Sequence, residues 1–164
     1  MARDPLESLA RRAGARLKKR GLKLATAESC TGGWIAQAVT AIAGSSDWFE
    51  RGFVTYSNQA KRELLGVRAR TLSRHGAVSE VTAREMAAGA LARSRAQVAI
   101  AVTGVAGPGG GTRSKPVGTV CFAWSRKNRA PESVVHRFSG SREGIRRQSV
   151  AFALQGLLER LEEE

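Results

Sequence analysis

Val98 to Val102, VAIAV, is an uninterrupted apolar run, and a run of that length and composition reads as a strand buried on both of its faces. Such a strand needs helices above and below it, and the rest of the chain offers them in alternation with shorter strands. Asp4, Pro5 and Glu7 form a capping box with proline at the first helical position, and Leu6, Leu9, Ala10, Ala13 and Leu17 recur at helical spacing until Gly21. Lys23 to Ala27 reads as a short strand and Trp34 to Ala43 as an apolar helix. Phe49 to Tyr56 reads as a strand, followed by a helix from Asn58 to Leu65 that Gly66 closes. After a polar stretch from Thr71 to Glu80, Val81 to Arg93 has the alanine-rich composition of a helix. A glycine-rich loop follows the VAIAV strand as far as Pro116. Strands at Val117 to Ser125 and Ser133 to Phe138 meet through Asn128 to Pro131, and an amphipathic helix runs from Gly140 to Leu161. The simplest arrangement is a three-layer α/β/α domain: a mixed, mostly parallel sheet, with a parallel core, an antiparallel addition and helices on both faces.

A chain of 164 residues without an internal repeat, long linker or composition shift is expected to be one domain over 1–164. Hydrophobic residues at 42% and charged residues at 25% are ordinary for a globular protein, which excludes a disordered or collagen-like chain. No run reaches the ~18 to 20 apolar residues of a membrane span, and Met1 to Arg20 carry charge throughout without an apolar signal core, so a cytoplasmic location is expected. Cys30 and Cys121 form no Cys-x-x-Cys pair, and with His75 and His136 they lack zinc-ligand spacing, so no dedicated metal site is expected. The net charge of +13 should draw anions such as nucleotides, phosphate esters or nucleic acid. Against a nucleic-acid surface stands an aromatic content of only 5%, too sparse for a stacking platform. The basic face of the first helix, with Arg12, Arg16, Lys19 and Arg20, fits a solvated face as well as an anionic polymer.

Ala27 to Gly33, AESCTGG, is a strand end running into small polar residues and two glycines at a helix start. There Ser29 stands where a backbone can approach a ligand closely, and the amides of Cys30, Thr31, Gly32 or Gly33 could hold a developing oxyanion. An ordinary helix cap served by Ser29 or Thr31 fits the same residues. Cys30 has no histidine partner and reads as a packing residue. A serine nucleophile needs a base, and no Ser-His-Asp triad or Ser-x-x-Lys spacing can be assembled. Lys61, in the first turn of its helix, could serve if the helix dipole lowers its pKa, or it could simply reach out to solvent. Tyr56 could bring its hydroxyl to the same place or pack with its tip in water.

Thr103 to Gly111, TGVAGPGGG, carries Gly104, Gly107, Gly109 and Gly110, which permit the close amide approach that phosphates or ribose hydroxyls need. It lacks the Lys-Ser/Thr end of a P-loop and the helix of a dinucleotide fingerprint, and a structural turn explains it equally. In Gly140 to Arg147, GSREGIRR, Ser141 can cap the last helix. Arg142 and Arg146 lie one turn apart, placed either to fork onto a phosphate or to be surface charge.

AESCTGG, FERGFVTYSNQAK from Phe49, HGAVSE from His75, TGVAGPGGG with KPVGTV from Lys115, and GSREGIRR occur together in this order. In them the chain closely resembles the CinA C-terminal domain family from about Leu6 to Leu158. Thr112, Arg113 and Ser114 depart from the family, whose close members often carry acidic residues there, and this bears on substrate preference more than on chemistry. The resemblance implies the fold described above and hydrolysis of the carboxamide of nicotinamide mononucleotide (NMN) to nicotinate mononucleotide and ammonia, returning the nucleotide toward NAD. It implies a Ser/Lys dyad with Ser29 as nucleophile and Lys61 as general base, and with Tyr56 and Thr103 lining the site. Amides of the Cys30 to Gly33 turn would hold the oxyanion, and the glycine loop with Arg142 and Arg146 the phosphate. The competing readings are a competence-associated nucleic-acid-binding module and a serine amidohydrolase for another amide. An open sheet edge and Arg-rich helices leave room for a homo-oligomer.

Overall fold

The computed structural model describes residues 4–162, so the outermost positions of the expected 1–164 domain lie outside the described residues. In chain order the elements are helix α1 (Pro5–Lys19), strand β1 (Leu24–Glu28), helix α2 (Trp34–Thr40), a 3-10 turn at Ser45–Asp47, strand β2 (Phe49–Val54), helices α3 (Asn58–Leu65), α4 (Ala69–His75) and α5 (Glu80–Ala92), strands β3 (Val98–Gly104), β4 (Thr119–Arg126) and β5 (Glu132–Arg137), and helix α6 (Arg142–Glu162). The strands form one sheet in the order β2-β1-β3-β4-β5, with the VAIAV run as its middle strand. β1 pairs in parallel with β2 and β3, while β4 is antiparallel to both β3 and β5. Only β4 therefore runs against the rest, which is the expected parallel core with an antiparallel addition.

Along β3 and β4 the side chains alternate between large and small, and β1 begins the same way before Thr26 and Glu28 bring polar groups to its Leu24 face. Leu24, Val98, Ile100, Val102, Val120, Phe122 and Trp124 meet the apolar stripes of α1, α2 and α6. Ala25, Ala27, Ala99, Ala101, Cys121 and Ala123 meet Ala83, Met86, Ala87 and Ala90 of α5. Period-two geometry converts that alternation into a thick layer on one face and a close one on the other. The close side tolerates little extra volume: a Cβ at Gly89 of α5 would drive into the Leu65 carbonyl at the end of α3. On the thick side α6 buries Ile145, Val150, Leu154, Leu157, Leu158 and Leu161, each contributing roughly 1.5–3 kcal/mol of apolar burial.

Three local readings differ. Asp4 caps α1 by accepting from the Leu6 amide at 3.0 Å, but the Glu7 carboxylate pairs with Arg11 one turn on at 2.8 Å and so does not complete the box. α2 stops at Thr40, three residues short of Ala43. The polar stretch contains α4, whose only buried residue is Thr71 and whose entry is held from α5, where Glu85 accepts from the Arg68 amide and the Thr71 hydroxyl. A helix with one buried position leaves no periodic signature. No helix among the described residues is long and apolar enough to cross a membrane.

The connections fix where a ligand can sit. The chain leaves β1 through α2 to β2 on one side, then returns through α3, α4 and α5 to β3 on the other. β1 is thus a topological switch point, and the crevice beyond its carboxyl end is where open α/β sheets bind ligands. Ser29 is the first residue past that end.

Candidate active site

Three parallel strands end side by side and deliver Ser29 from β1, Thr55 and Tyr56 from β2, and Thr103 and Gly104 from β3. The Ser29 amide donates to the Val102 carbonyl at 3.0 Å, tying the residue to the neighbouring strand. Its side chain meets Lys61, which enters from the start of α3, a helix capped by the Ser57 hydroxyl on the Ala60 amide at 3.0 Å. Lys61 is 1% exposed. Its Nζ lies 3.0 Å from Ser29 Oγ, 3.0 Å from the Thr55 carbonyl and 3.2 Å from the Tyr56 carbonyl.

No carboxylate among the described residues forms an ion pair with this amine. Burial therefore pushes Lys61 below its ordinary value of 10.5. A Cys30 thiolate would pull the other way, but burial pushes that thiol up to about 12, so it carries no charge near neutrality. The neutral amine fits its surroundings: two N–H groups have two carbonyls to donate to, and the lone pair is left for the Ser29 hydroxyl. The sequence left open whether Lys61 reaches solvent, and its burial excludes that alternative.

The turn from Ser29 to Gly33 is not capped by Ser29 or Thr31. Glu28, 0% exposed, takes that role: its carboxylate accepts from the Thr31 hydroxyl at 2.6 Å and from the Ile35 and Ala36 amides at 2.8 and 3.1 Å. Burial raises the Glu28 carboxyl above the usual carboxylate range, while these bonds and the Gly33 amide favour its charged form. The remaining turn amides divide. Gly32 donates to the Ser29 carbonyl at 3.0 Å and Trp34 to the Thr31 carbonyl at 3.0 Å. Of the four expected oxyanion donors, Gly32 and Gly33 are thus engaged internally, and Cys30 and Thr31 remain.

A cavity of about 220 Å³ opens over the dyad, lined by Ser29, Cys30, Tyr56, Lys61, Ala77, Val78, Thr103, Gly104, Ala106 and Arg142. The Thr103 hydroxyl donates to the Ala77 carbonyl at 2.8 Å, pinning one wall. Tyr56 is 64% exposed and forms the rim with its ring, while its carbonyl faces the dyad. Arg142, at the start of α6, donates to the Gly107 carbonyl at 2.6 Å and to the Tyr56 hydroxyl at 3.3 Å. Arg146 does not join it. Its guanidinium turns to the Cys30 carbonyl at 3.0 Å and the Thr31 carbonyl at 3.3 Å and lies over the Trp34 ring, outside the cavity lining. Gly107 acts through its carbonyl, and Gly109 and Gly110 are exposed on the loop beyond the lining. A larger hollow of about 380 Å³ lies at the other end of the sheet beside Val98, Trp124 and Leu157, but no nucleophile and base meet there, so size does not mark the site. Among the described residues no three His, Cys, Asp or Glu side chains gather as a metal would require.

The model of the CinA C-terminal domain matches residues 6–161. The chain belongs to the CinA C-terminal domain family. Nicotinamide-nucleotide amidohydrolase PncC of Escherichia coli (strain K12) is 54% identical over 159 residues, covering 96% of this chain and 95% of its own length. The protein of the same name from Pseudomonas putida is 50% identical over 156 residues, covering 95% and 97%. Among solved structures of the CinA family, the competence/damage inducible protein CihA from Agrobacterium tumefaciens matches with a TM-score of 0.94 at 50% identity, over 99% of this chain and 98% of its own.

Within this CinA domain, sequence reasoning missed two groups of site residues. Glu28 was hidden because a lone carboxylate at the end of a short strand shows no partner in sequence; its position immediately before a turn rich in free amides was the available signal. Ala77 and Val78 line the cavity from the HGAVSE segment. They carry no chemistry of their own and could not have been singled out by residue type.

Proposed function

We propose that this protein is a serine amidohydrolase that converts the carboxamide of NMN to nicotinate mononucleotide and ammonia, a reaction that returns pyridine nucleotide toward NAD. The observation that carries the reading is the buried, carboxylate-free Lys61 amine on the Ser29 hydroxyl. Relatives named nicotinamide-nucleotide amidohydrolase over nearly the full chain supply the substrate. Neutral Lys61 takes the Ser29 proton as Oγ attacks the carboxamide carbon, and the Cys30 and Thr31 amides receive the oxyanion. An amide from the residue after the nucleophile is a recurrent oxyanion donor in serine hydrolases. Protonated Lys61 then gives its proton to the departing nitrogen and ammonia leaves. Water attacks the acyl-enzyme with Lys61 as base again, freeing nicotinate mononucleotide and Ser29.

The cavity is smaller than the roughly 300–1,000 Å³ typical of a pocket that encloses a whole ligand. It suits the carboxamide and pyridine ring, with ribose and phosphate extending past the Tyr56 rim. Arg142 stands at that rim and is assigned to the phosphate, and no acidic side chain lines the cavity to oppose an anionic substrate.

The test is ammonia release from NMN in buffer containing EDTA, with the nucleotide product followed by chromatography, for wild type, Ser29→Ala and Lys61→Ala. Turnover by wild type and its loss in both folded variants is the expected result. A folded wild type that leaves NMN intact while deamidating another amide would replace the substrate.

A further inference from the structure

Two side chains outside the cavity lining hold the turn that follows Ser29, one taking its donors and the other its acceptors. Glu28 takes the Thr31 hydroxyl and, through the Ile35 and Ala36 amides, the start of α2. Arg146 of α6 takes the carbonyls of Cys30 and Thr31. Thr31 is therefore fixed by its side chain and by the carbonyls on both sides of its Cα.

A trans peptide points its N–H opposite to its C=O. With the Cys30 carbonyl held toward the Arg146 guanidinium, the Thr31 N–H in the same peptide plane must point away from it. The Thr31 carbonyl, held by the same guanidinium, sets the next plane, whose Gly32 N–H closes back onto the Ser29 carbonyl. The Thr31 amide itself makes no hydrogen bond to another described residue. The guanidinium charge behind this peptide also polarises it, strengthening the N–H as a donor.

We propose that Glu28 and Arg146 are positioning residues, which lock the Ser29–Gly33 turn so that the Thr31 amide is presented to the tetrahedral oxyanion. The inference rests on the Ser29 chemistry proposed above, and it moves Arg146 from phosphate binding to the organisation of the turn. Glu28 serves as the fixed acceptor of the α2 start, which reserves the α2 amides for structure and leaves the turn amides for chemistry.

The test is steady-state kinetics on NMN for Arg146→Lys, Arg146→Ala and Glu28→Gln, together with NMN affinity of the same changes placed on Ser29→Ala. Removing an oxyanion donor outright costs roughly 100- to 1,000-fold in kcat, so a misaligned one should cost about 10- to 100-fold. KM and the affinity should stay within about twofold, and free guanidinium should restore part of the lost kcat to Arg146→Ala. A Glu28→Gln chain that fails to fold leaves Arg146→Lys to decide. A rise in KM with kcat intact would return Arg146 to the phosphate and overturn the proposal, as would unchanged kinetics. Labelling of Ser29 by a fluorophosphonate, which needs the same oxyanion donor but no NMN, separates the two readings. If wild type is labelled and the Arg146 variants are labelled ten times more slowly, the positioning role stands even where NMN is not turned over. Equal labelling rates overturn it.

Discussion

Lys61 Nζ stands 3.0 Å from Ser29 Oγ in a shell whose other polar contacts to it are the Thr55 and Tyr56 carbonyls. Burial without a carboxylate partner makes the protonated amine expensive, while two carbonyls and the Ser29 hydroxyl accommodate the neutral amine. With Lys61 as the proposed base, the pH profile of kcat/KM should therefore rise with a single acid-side limb at an apparent pKa below 10.5, as Lys61 of the free enzyme loses its proton. Lys61→Arg should be inactive at every pH, since a guanidinium does not give up its proton. A profile with no acid-side limb anywhere below 10.5 would remove Lys61 as the base.

The same lowered pKa is linked to stability. Below the lowered value Lys61 is protonated in both folded and unfolded chains, and between it and 10.5 only the unfolded chain holds the proton. Stability contributed by this site therefore rises with pH across that window and levels off above it. Denaturant titrations of wild type and Lys61→Met at a series of alkaline pH values should show the difference moving in favour of wild type as pH rises. A pH-independent difference would mean that the amine is not desolvated.

Much of the fold was legible because it rests on local rules. The VAIAV strand, α3 closed at Gly66 and the Ser141 cap of α6 all follow from residue type and spacing, and all stand where expected. The site was legible only in pieces. Ser29 and Lys61 are 32 positions apart and meet because β1 and β2 end side by side, which no spacing rule states. Arg142 and Arg146, equivalent as a helical pair, separate because one meets the glycine loop and the other the turn carbonyls. Glu28 left only its place before the amide-rich turn as a signal, since the Thr31 hydroxyl and the Ile35 and Ala36 amides converge on it only once that turn is folded.

Cys30 is adjacent to the nucleophile and lines the cavity, yet burial raises its thiol to about 12. At neutral pH the fraction of thiolate is negligible, which leaves Cys30 only the backbone role proposed above. Cys30→Ala should keep kcat within a few-fold of wild type, and iodoacetamide should modify the native protein far more slowly than the unfolded chain. Rapid native alkylation with parallel loss of turnover would point to a cysteine nucleophile in place of Ser29.

Arg142 is the cation at the cavity mouth, and its guanidinium already spans the Gly107 carbonyl and the Tyr56 hydroxyl. A phosphate reaching the rim would receive a charge-assisted bond worth roughly 1.5–3 kcal/mol, so Arg142→Ala should raise KM for NMN by about 10- to 100-fold. The chemical step proposed at Ser29 and Lys61 should change much less. Nicotinamide riboside, which has the carboxamide and ribose but no phosphate, provides the control: wild type should use it poorly, and Arg142→Ala should use it no worse than wild type does. If the substitution penalises both substrates equally, Arg142 serves the Gly107 loop and Tyr56 alone, and the phosphate must be held elsewhere on this basic surface.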